Sequence, residues 1–248
     1  MNRNFNNEIK DNIGRNYFYG FDYDVMHPLM IRSMKNFFVK GNILELGSYE
    51  GLFTKRLIEL KQFSNVTCIE ASSDAIGNVQ DEVSKQANII HSTFEDFSSN
   101  EKYNNIVMTH VLEHLDDPVS VLKTIHDEWL SDDGLFFLIC PNANAPSRQI
   151  AVKMGLISHN SAVTHAEHEH GHRITYALDT LERDATAAGF EVVTRSGIFF
   201  KALANFQWDR LLQTDIISDE YIEGCYQLGH CYPDLCSSIM LVCKKGNL

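Results

Sequence analysis

The sequence lacks a long apolar run, and this absence excludes a membrane-spanning helix. The longest such run, Leu135–Cys140 (LFFLIC), is far too short to cross a bilayer. The N-terminal stretch MNRNFNNEIKDN is polar and lacks the apolar core of a signal peptide. We therefore expect a cytoplasmic protein that does not act in a membrane.

Basic residues are too few and too scattered for a nucleic-acid-binding surface. The chain has 21 Lys and Arg against 33 Asp and Glu, which gives a formal net charge of -12. This charge argues against a nucleic-acid backbone or an anionic membrane as the main partner. A small-molecule substrate is the expected partner.

The chain also lacks paired cysteines, internal repeats and low-complexity linkers. Its cysteines are spread along the sequence without CxxC spacing, which argues against a zinc site built from them. We expect six reduced, buried thiols in a single domain: Cys68, Cys140, Cys225, Cys231, Cys236 and Cys243.

The order of apolar segments predicts an α/β fold. Strand candidates alternate with amphipathic segments such as LFTKRLIELK from Leu52 and PVSVLKTIHDEWL from Pro118, which favours βαβ units and a parallel sheet covered on both faces. The segment Ser131–Gly134 (SDDG) reads as a helix stop and turn before the next strand. The predicted strands are Asn42–Leu46, Asn65–Glu70, Asn88–His91, Asn105–Thr109, Leu135–Cys140, Glu191–Arg195 and Ser238–Lys244.

Several segments fall outside this alternation. We divide the chain into an N-terminal cap (1–40), a cofactor-binding core (41–141), a substrate loop (142–176) and C-terminal strands (177–248) with an inserted cap (199–236). Both the first cap and the substrate loop flank the carboxyl edge of the sheet, where open α/β sheets bind ligands.

The stretch ILELGSYEGLFT is the first candidate for a binding turn. Gly47 permits a sharp turn and a close approach to a ligand, Ser48 is suitably small, and Gly51 opens a helix whose free amides favour anionic groups. The spacing is GxxxG, and a dinucleotide turn requires GxGxxG. Glu45 would repel a pyrophosphate, so a ligand with an amino group suits the turn better.

Glu70 ends the second strand, nineteen residues after Gly51. A carboxylate there can accept hydrogen bonds from both hydroxyls of a ribose, and we place Ala71 in the same contact. A solvated strand end is the alternative interpretation of Glu70.

The segment after the third strand is the candidate for an adenine slot. Phe94 would cover a ring face, with Thr93 and Glu95 beside the base edge. A core position for Phe94 is the alternative.

With VLEHLDDP after the fourth strand, these motifs together resemble the class I S-adenosylmethionine-dependent methyltransferases over residues 40–140. The resemblance implies a Rossmann-like seven-stranded, mostly parallel sheet whose last strand is antiparallel, and S-adenosyl-L-methionine as the cofactor. It further implies that the Gly47 turn meets the methionine part and Glu70 the ribose. Tyr49 departs from the family, in which many members have glycine at this position.

His110 follows the fourth strand, where the family places residues beside the reactive methyl group. Histidine is a common general base near neutral pH, so we predict that His110 lines the active site, contacts the cofactor and is a candidate base. His114, in VLEH, is a second catalytic candidate, with packing at the helix start as the alternative.

The tract HAEHEHGH contains His165, His168, His170 and His172. A metal site, a solvated polar loop and a substrate loop are the three interpretations. We predict a substrate loop that binds no metal, with His170 and His172 as candidate bases and His168 as a substrate contact.

The aromatic N-terminal segment includes Tyr17, Phe18, Tyr19 and Tyr23, followed by His27. We predict that it closes over the cofactor and that Tyr19 and His27 contact the substrate. An amphipathic helix docked on the core is the alternative.

These observations predict an enzyme that methylates a hydroxyl oxygen of a small polar metabolite, such as a saccharide or a biosynthetic intermediate, with a histidine as base. Methylation of a small amine is the runner-up. A non-catalytic cofactor-binding subunit is the alternative from another class. Because an insertion like 199–236 often forms contacts between subunits, a homodimer is one of the oligomeric states that we consider.

Overall fold

The computed structural model describes residues 5–6 and 19–246, which form a seven-stranded sheet with helices on both faces. The strand order is β3-β2-β1-β4-β5-β7-β6, and β7 is antiparallel to both of its neighbours. The predicted Rossmann-like sheet with an antiparallel last strand is therefore confirmed. The strands are β1 (Gly41–Leu46), β2 (Phe63–Glu70), β3 (Asn88–His91), β4 (Tyr103–Thr109), β5 (Leu130–Pro141), β6 (Phe190–Phe200) and β7 (Cys236–Lys245).

The helices connect these strands and cover the sheet. They are α1 (His27–Met34), α2 (Leu52–Glu59), α3 (Ser73–Gly77), α4 (Asp81–Ser84), α5 (Pro118–Thr124), α6 (Pro146–Lys153), α7 (His165–Glu169), α8 (Leu178–Ala187), α9 (Asn205–Leu211) and α10 (Asp219–Cys231). π-Helical turns at Phe21–Met26 and Ile125–Trp129 precede α1 and follow α5, and 3-10 turns lie at Leu112–His114 and Pro233–Leu235.

The central strands bury side chains on both faces, as their continuous apolar sequences predict. In β1, Leu44 and Leu46 belong to a core layer with Trp129, whereas Ile43 belongs to the opposite layer with Met34. All five side chains are fully buried. The two layers hold the strand ends, and therefore the site above them, in fixed positions.

The segment Ser131–Gly134 corrects the sequence prediction in part. The helical segment does end before it, at Trp129, but β5 already begins at Leu130. Tyr103 of β4 pairs with Leu130 and Asn105 with Leu135, so the intervening residues form an irregularity within the strand.

The insertion between β6 and β7 and the N-terminal helices form one layer. Trp208 of α9 packs on Phe21 and Phe199 with ring centroids 5.3 and 5.2 Å apart. Asp209 accepts a hydrogen bond from the Phe21 backbone N–H (2.8 Å). The alternative interpretation of the N-terminal segment, a helix docked on the core, therefore describes its buried face.

All six cysteines are free thiols, but they are not all buried as predicted. Cys231 is exposed because it is the last residue of α10, at the surface of the insertion. The other five are buried. Within the described residues, no helix is long and apolar enough to span a membrane.

Candidate functional site

The predicted cofactor residues gather where the strand order reverses, between β1 and β4. Ligands of open α/β sheets bind outside the carboxyl ends of the strands at such a point. The carboxyl ends of β1, β2 and β4 carry Gly47, Glu70 and His110, respectively. The structure thus brings together at one edge residues that are far apart in the sequence.

Gly47 is required by the conformation and the packing of the turn itself. Its φ is +78°, in the left-handed region that disfavours side chains. A Cβ at this position would lie 2.5 Å from Val111 Cγ2. The turn therefore packs directly against the segment that follows β4.

Tyr49 adopts the left-handed conformation without being glycine, with φ +49°. Its backbone N–H donates to Glu70 Oε2 (2.8 Å), and the Ser72 N–H donates to Oε1 (2.8 Å). Burial raises the pKa of Glu70, and these backbone hydrogen bonds oppose the shift. The Tyr49 side chain thus leaves the hydrogen bonding of the turn intact.

Each Glu70 oxygen accepts one backbone N–H, and a carboxylate oxygen has two lone-pair sites. The carboxylate therefore retains acceptor capacity for hydroxyl donors such as those of a ribose. Ala71 follows Glu70 and is partly buried.

Glu45 lies beneath the turn and is only 1% exposed. Its Oε2 accepts a hydrogen bond from Thr54 Oγ1 (2.6 Å) of α2, which ties β1 to that helix. Glu45 Oε1 and Ser48 Oγ are buried and have no hydrogen-bond partner among the described residues. Burial raises the pKa of Glu45 to about 7.

The residues proposed for the adenine slot lie after β3. Phe94 is partly buried and packs against the first core layer, so the alternative interpretation describes part of its contacts. Thr93 Oγ1 hydrogen-bonds with Asp96 Oδ2 (2.9 Å) within its own turn, and Glu95 is exposed.

Aromatic rings lead from the N-terminal segment to the turn. Tyr19 stacks on Tyr23 (5.8 Å between centroids), Tyr23 meets His27 (5.4 Å), and His27 meets Phe53 of α2 (5.1 Å). Burial and the neighbouring Tyr49 raise the pKa of Tyr23. The predicted substrate residues Tyr19 and His27 thus lie on this row, while Tyr17 and Phe18 lie outside the described residues.

His110 directly follows β4 and has a left-handed conformation, with φ +54°. Such backbone strain in a non-glycine residue often marks a functional position. Its Nε2 lies 2.9 Å from Ser238 Oγ, in β7. Burial, then the nearby His27 and His172, lower the pKa of His110 to about 3, so the ring is neutral near pH 7.

His172 is the histidine of the HAEHEHGH tract that contacts the segment after β4. The His172 ring packs on His114 with centroids 4.5 Å apart, and burial lowers the His172 pKa to about 4. His165 and His168 are exposed, and His170 is partly buried. Since residues 165–169 form helix α7, the tract does not present the alternating face that a strand would give.

Two polar residues of the site were not identified from the sequence. Ser238 is the partner of His110, and Glu113 is buried below the histidines. The VLEH motif contains Glu113, but nothing in its spacing reveals that the carboxyl group points into the protein.

A profile described as a methyltransferase domain matches residues 21–195, more than half of the chain. The chain belongs to the class I S-adenosylmethionine-dependent methyltransferases. The predicted enzyme class is thus confirmed. No curated protein matches this methyltransferase at a significant level of sequence similarity.

Solved methyltransferase structures share the fold of this chain. A Thermotoga maritima SAM-dependent methyltransferase has TM-score 0.65 and 13% identity, covering 98% of this chain and 100% of the other. The N-methyltransferase NodS from Bradyrhizobium japonicum, solved with S-adenosyl-L-homocysteine, has TM-score 0.61 and 13% identity over 99% and 100%. A complex between the Haloferax volcanii Trm112 methyltransferase activator and a methyltransferase gives TM-score 0.62 and 13% identity, covering 100% of both chains.

The polar atoms of the turn fit the methyl donor of this family. S-Adenosylmethionine carries an ammonium group, a carboxylate and two ribose hydroxyls. The unpartnered Glu45 Oε1 is an acceptor, Ser48 Oγ can donate or accept, and Glu70 has free acceptor sites. The chemistry of these donors and acceptors matches that of the ligand.

Proposed function

We propose that this methyltransferase methylates a hydroxyl oxygen of a small, polar, hydroxylated metabolite, with His110 as general base. The observation that carries the proposal is the neutral imidazole of His110, which lies at the strand reversal with its orientation set by Ser238. A hydroxyl acceptor needs a group that takes its proton, whereas an amine can arrive already deprotonated.

We assign the methyl donor to the turn. Gly47, Ser48 and Gly51, with Glu45 beneath them, would hold the amino-acid part, Glu70 the ribose, and Thr93, Phe94 and Glu95 the adenine end. Bound there, the donor supplies a methyl group on a positively charged sulfonium. His110 would accept the proton that the acceptor hydroxyl gives up when its oxygen is methylated.

A neutral base suits the charge balance of this transfer. Burial lowers the pKa of His110 to about 3, which keeps the ring free of a proton beside the sulfonium but also makes it a weaker base than a solvated histidine. Methyl transfer would leave the net charge of the site unchanged, because His110 would gain the positive charge that the sulfonium gives up. His172, also neutral near pH 7, is the second candidate base.

Aromatic residues of the N-terminal segment support a small acceptor. Tyr19, Tyr23 and His27 lie above the turn, with His27 Nδ1 buried and without a partner among the described residues. These side chains offer apolar faces with polar tips, which suits a compact, hydroxylated molecule better than a polymer.

The proposal is tested with a panel of hydroxylated metabolites and small amines, with S-adenosylhomocysteine formation as the readout. We expect transfer to a hydroxyl acceptor, and His110→Ala should lower kcat by about 10²–10⁴-fold because the proton acceptor is lost. His165→Ala, an exposed histidine of the same chain, is the matched control and should retain full activity.

Full activity in both His110→Ala and His172→Ala would contradict base catalysis by either residue and favour an amine acceptor. Binding of the donor without transfer to any acceptor would instead favour the non-catalytic alternative.

A further inference from the structure

Three side chains with metal-binding atoms meet after β4. One carboxylate oxygen of Glu113 and one ring nitrogen from each of His114 and His172 all lie within 4.8 Å of one another. Among residues 5–6 and 19–246, this is the one group of three His, Cys, Asp or Glu side chains that meets so closely.

The Glu113 carboxyl group lacks the partners that a buried charge requires. The residue is 1% exposed, and neither carboxylate oxygen has a strong N–H or O–H donor among the described residues. The Cys140 thiol is near enough for a weak hydrogen bond to the carboxyl group, but it carries no positive charge. Burial of an ionised carboxylate without a partner is very unfavourable, so such a group takes up either a proton or a cation.

Backbone contacts hold His172 beside this carboxyl group, although the two residues are 59 positions apart in the sequence. The backbone N–H of Arg173 donates to the Glu113 carbonyl oxygen (2.7 Å). The Arg173 guanidinium also binds Asp116 (3.1 Å). These two contacts join the substrate loop to the VLEHLDDP segment, one at Glu113 and one at Asp116.

The loop before His172 is fixed as well. Arg148 of α6 pairs with the Glu167 carboxylate, and the backbone N–H of His172 donates to the Glu167 carbonyl oxygen (2.9 Å). Thr164 caps α7 and also binds Glu167. These contacts fix the backbone around His172, so its side chain is pre-positioned, as ligand sites require.

We propose that Glu113, His114 and His172 bind one divalent transition-metal ion, with zinc as the reference case. Two imidazoles and one carboxylate form a donor set typical of catalytic zinc sites, which keep a further position open. Ligand atoms about 2.1 Å from one ion are at most about 4.2 Å apart, so small side-chain rotations would close the observed arrangement.

This site differs from a metal site in the HAEHEHGH tract. It takes only His172 from the tract, and its other two ligands come from the segment that follows β4. The exposed His165 and His168 contribute nothing to it.

A catalytic role for this ion rests on the proposed function, whereas the binding of the ion does not. With His172 as a ligand, His110 alone remains as the candidate base, and the two rings are close enough to interact electrostatically. The open position of the ion would bind an oxygen of the acceptor and make the hydroxyl more acidic. This favours an acceptor whose oxygen can bind a metal ion.

Metal binding is tested on full-length protein after chelator treatment, without methyl donor or acceptor. We titrate it with Zn²⁺ by calorimetry and with Co²⁺ by visible absorption, and measure the bound metal by elemental analysis. We expect one ion per chain and a higher Tm with Zn²⁺. The absorption of Co²⁺ bound to nitrogen and oxygen ligands should saturate at the same ratio.

Variants locate the ion. Glu113→Gln keeps the shape of the side chain and removes its charge, and His172→Ala removes a partly exposed ligand. Each should weaken Zn²⁺ binding by more than about 10-fold, since even loss of a supporting residue commonly has that effect. His165→Ala is the matched control and should bind like the wild type. Circular dichroism verifies that each variant is folded.

The proposal is overturned if the chelator-treated protein binds no ion, or if folded Glu113→Gln and His172→Ala both bind as tightly as the wild type. Because binding is measured without substrates, its failure is separate from that of the proposed function. A metal-free enzyme that still methylates a hydroxyl at full rate would refute a catalytic role of the ion and leave the acceptor assignment standing.

Discussion

Replacement of Gly47 by alanine tests whether the turn is defined by the protein as well as by its ligand. Two separate penalties follow from the structure. The residue has φ +78°, and a Cβ would lie 2.5 Å from Val111 Cγ2. The left-handed conformation costs about 1–2 kcal/mol for a residue with a side chain. Overpacking costs about 1–3 kcal/mol more.

Replacement of Gly155 measures the conformational cost without the packing cost. Its φ of +74° is nearly identical, and an added Cβ would meet nothing within 4 Å. Gly155→Ala therefore carries the conformational cost alone, together with the same loss of unfolded-state entropy that any Gly→Ala change brings. The free energy of unfolding of Gly47→Ala should fall below that of Gly155→Ala by about 1–3 kcal/mol.

Urea denaturation of both variants measures this difference. Combining Gly47→Ala with Val111→Ala should recover most of the excess, relative to Val111→Ala alone, because the clashing methyl group is gone. If Gly47→Ala and Gly155→Ala are equal within about 0.5 kcal/mol, the contact with Val111 does not constrain the turn and the reasoning fails.

Three further predictions concern single side chains. Glu70→Ala should weaken S-adenosylmethionine binding by about 1.5–3 kcal/mol, the usual contribution of hydrogen bonds to a charged group; unchanged affinity by calorimetry would contradict the ribose assignment. Burial raises the pKa of Glu45 from 4.5 to about 7. Its carboxylate therefore destabilises the ligand-free fold by about 3 kcal/mol above pH 7, and this cost disappears as the pH falls from 7 to 4.5. The stability gain of Glu45→Gln should therefore be larger at pH 8 than at pH 5, and equal gains at both would show that Glu45 does not titrate in this range. A thiol reagent should label one cysteine quickly in the native protein, and Cys231→Ser should abolish this fast reaction unless a buried thiol becomes accessible.

The fold was predictable because its signals are local. Most strands of the parallel sheet are short apolar runs, and α5 begins at Pro118, whose fixed φ and missing N–H suit the first turn of a helix. The donor side of the site follows from the same rules. Gly47 and Glu70 stand directly at strand ends, so their placement depends only on the order of the strands.

The acceptor side was not predictable because its contacts join distant parts of the chain. Ser238 reaches His110 across 128 positions, through the pairing of β7 with β5. Local spacing in the HAEHEHGH tract also does not show which histidine reaches the site, since helix α7 and the turn after it separate His172 from His168. Periodicity carries no information about such pairings.

The donor side and the proposed acceptor side of the site are therefore held by different kinds of contact, and this difference affects how the acceptor is selected. Backbone N–H groups of Tyr49 and Ser72 hold the Glu70 carboxylate, so its orientation depends little on the side chains of these two residues. Side chains of the 142–176 segment contribute to the proposed acceptor side, where the Arg173–Asp116 and Arg148–Glu167 pairs hold the segment around His172 in place. Changes in this loop can alter the acceptor without disturbing the donor. The loop, together with the buried Glu113 beneath it, is accordingly where acceptor specificity should be sought.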